Sequence, residues 1–463
     1  MIPATSADVV VIGGGITGLS AAQAVLEDRP GASVVLLESS DRLGGKIATI
    51  DLDGIALETG ADSFLARTPD AVSLCERIGL GDELVSPAVF GAVIADRDGV
   101  HRLPSGFVYG LPSSVGAALG AHSLSIAGRL RACRDLFLPG RITDDVSVAA
   151  FVTRRFGGQV LDKVVDPLLA GTRAGRVEDM SLAAAMPQIF GVAHSSRSVI
   201  RGLDRASKKG VVDNGRPPFL TVSGGLGRVI ETLRDRLPAV DVRMETEAIR
   251  LERASGYTIT TNQGSIEAAA VIVATPAYVA APLLDGVSGG AAAALRTIEH
   301  ASVASVALVY EHLDFSPPQG TSGLLVSRSV QQVIAGCTWY STKWPGSVPD
   351  GRSVLRCVVG RAGSDPALET GDDVLSAAVI NDVERLLAVH DTPIRTHVTR
   401  WNRGLPQYSV GHLQRIDYAE NALRRDAPGV MVAGAGLRGS GIPDCIAQGR
   451  QAATAAIRSL QPK

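Results

Sequence analysis

The sequence feature that most constrains the fold is a glycine-rich turn near the start of the chain. Residues 9–12 are an unbroken run of β-branched residues, which is typical of a strand buried on both faces of a parallel sheet. The next residues match the pattern G-x-G-x-x-G, and residues 19–26 are mostly helix formers; the pattern comprises Gly13, Gly14, Gly15, Ile16, Thr17 and Gly18. Such glycines permit a tight turn, a close approach of backbone to a pyrophosphate, and close helix packing. The stretch therefore predicts a dinucleotide-binding strand, turn and helix.

An acidic residue completes this pattern. Residues 33–37 form a second predicted strand, and Glu38 follows it directly. A carboxylate at this distance from the glycines can accept hydrogen bonds from both ribose hydroxyls of a dinucleotide. We therefore expect an α/β fold that contains a Rossmann-like domain.

A second pair of glycines favours a flavin over a nicotinamide. Gly44 and Gly45 can bring backbone against a diphosphate, and Arg42 and Lys46 can supply positive charge. A nicotinamide enzyme has no need of this segment; the alternative is an ordinary glycine turn with solvated cations. A later turn would place backbone N–H groups beside an isoalloxazine, or would be a plain surface turn. It consists of Gly60, Ala61, Asp62 and Ser63.

Composition sets limits on the class of protein. A chain of 463 residues predicts two or three domains, and a net charge of −2 without a basic run argues against nucleic-acid binding. Its 5 cysteines have no paired or metal-ligand spacing, which predicts a reducing compartment and no metal site. The first Lys or Arg is Arg29, so a signal peptide is not indicated, and no apolar run is long enough to span a membrane. We expect a cytoplasmic protein.

The strand-turn-helix theme returns late in the chain, which predicts a discontinuous domain. Residues 430–433 read as a buried strand, and Gly434 begins a second formal G-x-G-x-x-G match. Too few residues follow for a second nucleotide domain. We expect instead a terminal helix with Pro443 near its first turn, ending at about Leu460, whose N-terminus faces the flavin pyrimidine ring.

Three domains are predicted. An FAD-binding domain comprises residues 1–66, 219–286 and 398–463; a mixed α+β substrate-binding domain comprises residues 67–100, 190–218 and 287–397; a helical domain comprises residues 101–189. Within this division, residues 195–216 are polar and are interpreted as a solvated linker or a mobile excursion.

The helical domain has two interpretations. Residues 113–165 are moderately apolar and include Arg129, Arg131, Arg134 and Arg141. Amphipathic packing against the protein itself is the commoner cause of such a pattern, and peripheral contact with a membrane surface is the alternative.

Several short motifs together resemble a known flavoprotein family. They span residues 13–18, 41–46, 58–64, 166–169, 224–226, 405–408 and 441–446. Over nearly its whole length the chain resembles the protoporphyrinogen and coproporphyrinogen oxidases, relatives of the monoamine oxidases. The N-terminal motifs are shared with amine oxidases and carotene desaturases. Leu-Pro-Gln-Tyr at 405–408 and Pro-Asp-Cys at 443–445 point to the porphyrinogen branch.

The resemblance implies further FAD contacts, in addition to those already named at residues 13–18, Glu38, Arg42 and Gly45. These are Ser39, Lys46, residues 60–63, the backbone of Ala248 near the adenine, Trp401 near the ring system, Ile442, Pro443 and Asp444. Cys445 lies in a porphyrinogen-type context, which implies a packed cysteine and non-covalent FAD. The chain departs from the family at Arg173, where an aromatic residue is common, so no substrate role transfers there.

The resemblance also implies a reaction. Coproporphyrinogen III would lose six electrons in three formal hydride transfers to flavin N5, giving coproporphyrin III in haem biosynthesis, with O₂ as acceptor and H₂O₂ released. No catalytic acid–base residue is expected, because the substrate supplies its own protons. The substrate is a small molecule whose propionates need cationic partners, which the sequence does not identify. Protoporphyrinogen IX oxidation, an amine oxidase or desaturase activity, and a carrier resembling the Rab escort proteins are the alternatives, and oligomeric state is left open.

Overall fold

The computed structural model describes residues 5–138, 140–208, 217–363 and 366–460. Its architecture is mixed α/β, as the sequence predicts. The strands are β1 (Thr5–Ile12), β2 (Val34–Leu37), β3 (Thr49–Leu52), β4 (Ile55–Glu58), β5 (Phe64–Leu65), β6 (Leu84–Val85), β7 (Ala92–Asp96), β8 (Gly99–Arg102), β9 (Phe107–Val108), β10 (Leu111–Pro112), β11 (Phe219–Val222), β12 (Val240–Arg243), β13 (Ala248–Arg253), β14 (Tyr257–Thr261), β15 (Gly264–Val273), β16 (His300–Tyr310), β17 (Gly323–Val326), β18 (Ile334–Trp339), β19 (Ser353–Val359), β20 (Arg395–Pro406) and β21 (Val430–Val432).

Helices connect and cover these strands. They are α1 (Ile16–Asp28), α2 (Pro69–Ile78), α3 (Val115–Leu119), α4 (Ile126–Cys133), α5 (Val148–Arg155), α6 (Gly158–Val160), α7 (Asp166–Arg173), α8 (Leu182–Ala185), α9 (Pro187–Ser195), α10 (Val199–Lys208), α11 (Gly227–Asp235), α12 (Ala277–Leu284), α13 (Gly289–Arg296), α14 (Tyr340–Lys343), α15 (Asp372–Leu387), α16 (His412–Asp426) and α17 (Ile442–Ser459). Short 3₁₀ turns at Arg134–Leu136 and elsewhere, and a π-helical turn at Leu161–Val165, join some of them.

The first sheet carries the dinucleotide-binding pattern. Its strand order is β12-β2-β1-β15-β14-β13, and β21 also pairs with β15. Strands β12, β2, β1, β15 and β21 are parallel, whereas β13, β14 and β15 form antiparallel pairs. The chain enters this sheet in separated segments, which confirms the expected return of the theme late in the sequence.

Strand β1 is buried on both faces, as its unbroken β-branched run predicts. Val9 and Val11 belong to a hydrophobic cluster formed with α1 and α17. Val10 and Ile12 belong to a second cluster on the opposite face, formed with α12, α13 and α16. The sheet is therefore covered by helices on both sides, so the carboxyl end of β1 is held rigidly.

A second sheet has the order β20-β16-β19-β18-β17-β7-β8. Its pairs are antiparallel except for β7 and β17, and helix α15 packs against it. Helices α3 to α10 lie between β8 and β12 in sequence and form a unit with its own hydrophobic cluster, here called the helical unit. The same clusters place residues of α2 with the first sheet and residues of α10 with the helical unit. The three predicted domain boundaries stay a prediction.

The predicted linker at residues 195–216 is wrong for most of its described part. Helix α10 spans Val199–Lys208, and Val199, Ile200 and Leu203 are buried in the helical unit. Its apolar residues are few but lie on one face, so the strongly polar composition concealed an amphipathic helix. Residues 209–216 lie outside the described residues.

One face of the helical unit is apolar and exposed. Ile126 and Leu130 of α4 are 75% and 62% exposed, and Phe137 is 82% exposed. Packing against the protein itself, the interpretation favoured from the sequence, does not account for these side chains. In the described part of the chain, no helix combines the length and apolarity needed to cross a bilayer.

Candidate active site

The glycine-rich turn leaves open space at the start of α1. Gly13 has φ +109°, and a Cβ on Gly18 would collide with the Gly13 carbonyl oxygen, so turn and helix pack without room for a side chain. Gly15 is the N-cap of α1, and no atom lies within 4 Å of the position where its Cβ would stand. Free N–H groups at this helix end therefore face a space that can receive an anion.

Glu38 lies beside this turn at the end of β2. Its Oε2 accepts a hydrogen bond from Gly14 N at 2.8 Å, and its Oε1 accepts bonds from Ser40 N at 2.9 Å and Ser40 Oγ at 2.7 Å. Thr246 N donates to the Glu38 backbone oxygen, which brings the start of β13 and Ala248 to the same edge. Ser39, the residue after Glu38, is exposed. The predicted ribose and adenine contacts are thus brought together.

The second glycine pair packs directly on the first. Gly44 N donates to Gly14 O at 2.9 Å, and Gly15 and Gly44 form a β-bridge. Arg42 donates to the carbonyls of Leu43, Gly45 and Ile47, and its Cζ lies 5.9 Å from the centre of the Trp401 ring. The Arg42 side chain therefore stabilises the loop to which it belongs.

Trp401 and the turn at residues 60–63 meet this loop from the other side. Trp401 Nε1 donates to Thr59 O at 2.9 Å, and Arg356 donates to Gly60 O at 2.6 Å. A Cβ on Gly60 would collide with the Lys46 carbonyl oxygen, so the two turns touch through backbone. The loop that contains Lys46, the turn at residues 60–63 and Trp401 therefore meet, although they are far apart in the sequence.

The side chain of Asp62 is bound within the protein. Lys343 Nζ lies 2.7 Å from Asp62 Oδ2, Trp344 Nε1 lies 3.4 Å from the same oxygen, and Ser63 Oγ donates to Oδ1 at 2.8 Å. Burial would raise the pKa of Asp62, but Lys343 and Arg356 outweigh it and hold that pKa below its usual range. Ala61 is exposed, so what the turn offers a ligand is backbone together with the Ala61 methyl group.

Helix α17 confirms the predicted terminal helix. It begins at Ile442, with Pro443 in its first turn, and ends at Ser459. Gly441 N donates to Asp444 Oδ2 at 3.2 Å, which closes the first turn and leaves the other N–H groups free. Cys445 is buried against Thr17 of α1, and burial raises the pKa of its thiol to about 11. The N-termini of α1 and α17 thus lie side by side.

Lys46 and His300 lie near this junction. Burial lowers the pKa of Lys46, and the nearby Cys445 acts in the opposite direction. Burial also lowers the pKa of His300 to about 4, and Lys46 and Arg403 contribute in the same sense. A neutral His300 and a desolvated Lys46 suit an apolar site that binds an electron-rich or anionic group.

Two contributors were missed from the sequence. Glu58 is 2% exposed and accepts bonds from Leu226 N and from Thr49 Oγ1, which ties β4 to the turn before α11. Arg356 braces Gly60 and donates to Ser305 Oγ at 3.2 Å. The available signal for Arg356 was a lone arginine inside the apolar run of β19, because a charge buried in a strand needs a specific partner.

Residues of the 405–408 motif join the helical unit to the C-terminal segment. Tyr408 OH donates to Ala435 O at 2.5 Å, and Ser181 N donates to Tyr408 O at 2.7 Å. Gln407 Nε2 donates to Arg173 O at 3.2 Å. The 405–408 motif therefore links the helical unit to the C-terminal segment beside the predicted site.

This arrangement fits a flavin dinucleotide. The open N-terminus of α1 suits a diphosphate, the Glu38 edge suits a ribose, and the α17 N-terminus beside Gly60 and Trp401 suits a ring that gains negative charge. Within the described ranges, no group of His, Cys, Asp and Glu side chains is placed to hold a metal ion.

Comparison with known proteins agrees with this geometry. The family model described as flavin containing amine oxidoreductase matches residues 16–457. Coproporphyrinogen III oxidase of Bacillus subtilis (strain 168) is 34% identical and is covered over 98% of both chains. The protein of that name from Staphylococcus aureus is 30% identical, with 98% of this chain and 99% of that one covered.

Solved structures give the same fold. A crystal structure of an Exiguobacterium sp. 255-15 protein, provisionally named protoporphyrinogen oxidase, has a TM-score of 0.87 and 31% identity over 100% of both chains. A putrescine oxidase mutant has a TM-score of 0.72 at 19% identity, covering 98% of this chain and 100% of that one, and it indicates the fold alone.

Proposed function

Because the chain belongs to the flavin-containing amine oxidoreductase family and is an FAD-dependent oxidase, we propose that it oxidises coproporphyrinogen III to coproporphyrin III. The observation that carries the proposal is full-length similarity to relatives of that name at 30% to 34% identity. Two narrow motifs of the porphyrinogen branch support it: residues 405–408 join the helical unit to the C-terminal segment, and residues 443–445 lie in the first turn of α17. O₂ is the proposed acceptor, and H₂O₂ the proposed second product.

The proposed cofactor contacts follow the geometry. Residues 13–18 and Gly45 would hold the diphosphate, Glu38 and Ser39 the ribose, and the strand start at Ala248 the adenine side. Residues 60–63, Trp401 and the first turn of α17 would hold the ring system. When bound, FAD supplies the two-electron acceptor for each oxidation step.

The protein's own contribution is orientation and electrostatics. Arg356 and Trp401 hold the backbone carbonyls of Gly60 and Thr59 in place, where the ring system would bind. The N-terminus of α17 would offer partial positive charge to a bound ring. His300 and Lys46 are half-buried, and this burial lowers the pKa of both side chains. We assign no side chain as proton donor or acceptor.

We also propose a cytoplasmic enzyme that contacts an anionic membrane surface. Five cysteines are free, which fits a reducing compartment. The exposed Ile126, Leu130 and Phe137 are accompanied by the exposed Arg134 and Arg141. An apolar patch flanked by arginines is the chemistry of an interfacial surface.

The experiment is a turnover assay in air with coproporphyrinogen III, protoporphyrinogen IX and a panel of amines. We expect porphyrin fluorescence to rise fastest with coproporphyrinogen III, with three O₂ consumed per porphyrin. Two additional propionates held at a partly exposed rim give a preference of roughly 2- to 30-fold over protoporphyrinogen IX. The preference should shrink as salt is raised. Turnover of amines but of neither porphyrinogen would refute the proposal.

A further inference from the structure

Arg173 is the last residue of α7, and its backbone is fixed where three parts of the molecule meet. Gln407 Nε2 donates to its carbonyl oxygen at 3.2 Å. The next residue, Ala174, has φ +51° and accepts a hydrogen bond from Ala362 N at 2.5 Å. Ala174 belongs to a small apolar cluster against which Trp401 packs. Arg173 therefore directly precedes a residue of the cluster against which Trp401, the proposed flavin neighbour, packs.

The guanidinium of Arg173 is half-buried but poorly partnered. Its NH1 lies 3.5 Å from Ser440 Oγ, and its Cζ lies 6.0 Å from the centre of the Tyr408 ring. Among the described residues, no carboxylate oxygen lies within 4.0 Å of its nitrogens. By contrast, the buried Arg155 pairs with Asp135 at 3.1 Å. A guanidinium has five N–H donors, so most of those of Arg173 are left for a ligand.

The charge of Arg173 also acts on Asp444, whose carboxylate is already engaged. Its Oδ2 accepts the bond from Gly441 N that starts α17. Burial raises the pKa of Asp444, while the Gly441 N–H and Arg173 act in the opposite sense. The contact of Arg173 NH1 with Ser440 Oγ, one residue before the N-cap Gly441, places the guanidinium toward the N-terminus of α17.

We propose that Arg173 binds a carboxylate of the substrate at the edge of the flavin site, where the helical unit meets α17. The inference rests on the proposed function and deepens it, because coproporphyrinogen carries four propionates and the sequence named no partner for them. A planar guanidinium holds a carboxylate through two parallel hydrogen bonds, and the Cζ of Arg173 lies 6.0 Å from the centre of the Tyr408 ring. Arg173 is thus a specificity residue in this chain.

The test compares Arg173→Met, Arg173→Lys and the control Arg176→Met. Arg176 lies close by in sequence but is exposed and paired with Asp179 at 2.8 Å. The FAD-loaded proteins are titrated with coproporphyrin III and with its uncharged tetramethyl ester, following fluorescence quenching. FAD content is measured in each variant to exclude loss of the site. KM and kcat for coproporphyrinogen III are measured in parallel.

We expect Arg173→Met to weaken binding of coproporphyrin III about tenfold, which corresponds to about 1.4 kcal/mol, and to leave the ester nearly unchanged. Arg173→Lys should lose about threefold, because it keeps the charge without the fork, and Arg176→Met should match the wild type. The loss should appear in KM more than in kcat. Equal losses for acid and ester, or wild-type binding in Arg173→Met, would overturn the inference while leaving coproporphyrinogen oxidation intact. A wild-type enzyme that turns over no porphyrinogen would instead remove the proposed function, and this inference with it.

Discussion

Glu38 serves both the fold and the proposed cofactor. Its two oxygens already bind Gly14 N, Ser40 N and Ser40 Oγ, so the carboxylate is fixed before any ribose arrives. We predict that Glu38→Ala weakens FAD binding by roughly 1.5–3 kcal/mol, as expected for lost hydrogen bonds to a charged group. Fluorescence titration of the apoprotein with FAD measures this. Asp41→Asn, in an exposed residue nearby, is the control; equal affinity in Glu38→Ala would contradict the assignment.

The environment of Cys445 indicates that the flavin is bound non-covalently. Its side chain is 6% exposed, packs against Thr17, and has a pKa raised by burial to about 11, so it is a poor nucleophile. We predict that acid precipitation releases all flavin into the supernatant, and that Cys445→Ala behaves in the same way. Flavin retained in the wild-type pellet and lost from the Cys445→Ala pellet would show a covalent bond instead.

At the residue scale, the sequence predicts backbone roles better than side-chain partners. The glycines of residues 13–18 and 44–45 pack as their spacing requires. By contrast, Asp62 turns to Lys343 and Arg42 binds its own loop. Lys343 is far from Asp62 in sequence, so only the packing of β3 and β4 against β16, β19 and α14 reveals the pair.

At the element scale, Glu58 links β4 to the turn at Gly225 and Leu226. Burial raises the pKa of Glu58 to about 7, although the bonds from Leu226 N and Thr49 act in the opposite sense. The folded state therefore binds this proton more tightly than the unfolded chain does. Stability from Glu58 is fully present below the unfolded pKa and is lost as pH rises through about 7.

We accordingly predict that Glu58 contributes a fall of on the order of 2 kcal/mol to the free energy of unfolding between pH 5 and 8. Glu58→Gln should remove this contribution, so the difference in stability between the wild type and the variant should shrink as pH rises. Urea unfolding of the FAD-loaded protein at a series of pH values gives the measurement. Glu267→Gln, in an exposed residue of β15, should keep the wild-type slope. The same slope in Glu58→Gln would assign the effect to other groups.

Helix α4 carries the second prediction at this scale. The exposed Ile126 and Phe137 should bind vesicles that contain anionic lipid, and added salt should weaken that binding. The double variant Ile126→Ser with Phe137→Ser should bind at least about tenfold more weakly, because two apolar side chains are lost. Val374→Ser is the control, since Val374 is 60% exposed on α15 of another unit. A wild-type protein that ignores such vesicles would rule out the contact.

Elements were predictable where the pattern was strong. Strand β1 and helix α17 follow from a β-branched run and from a proline at a helix start. Helix α10 was missed because it has as many charged residues as buried ones, and its buried face becomes evident only beside the helical unit. Local sequence does not report which neighbour will cover a face.

At the scale of the whole molecule, the α/β fold followed from the sequence because one sheet is assembled from recurrent strand-turn-helix segments. The site did not follow in full, because it forms where α1, α17, β20 and the turn at residues 60–63 converge. Contacts between segments so distant in the chain leave no local signature. What the sequence could supply was the set of glycines at which backbones approach closely.

The measurement that tests the central claim most directly is rapid anaerobic mixing of the purified FAD-bound protein with coproporphyrinogen III. Exclusion of O₂ isolates the passage of electrons from substrate to flavin. The account predicts bleaching of the oxidised flavin absorbance, followed by recovery of the yellow colour and formation of coproporphyrin III when air is admitted. Flavin that stays oxidised with coproporphyrinogen III, but bleaches with an amine, would contradict it.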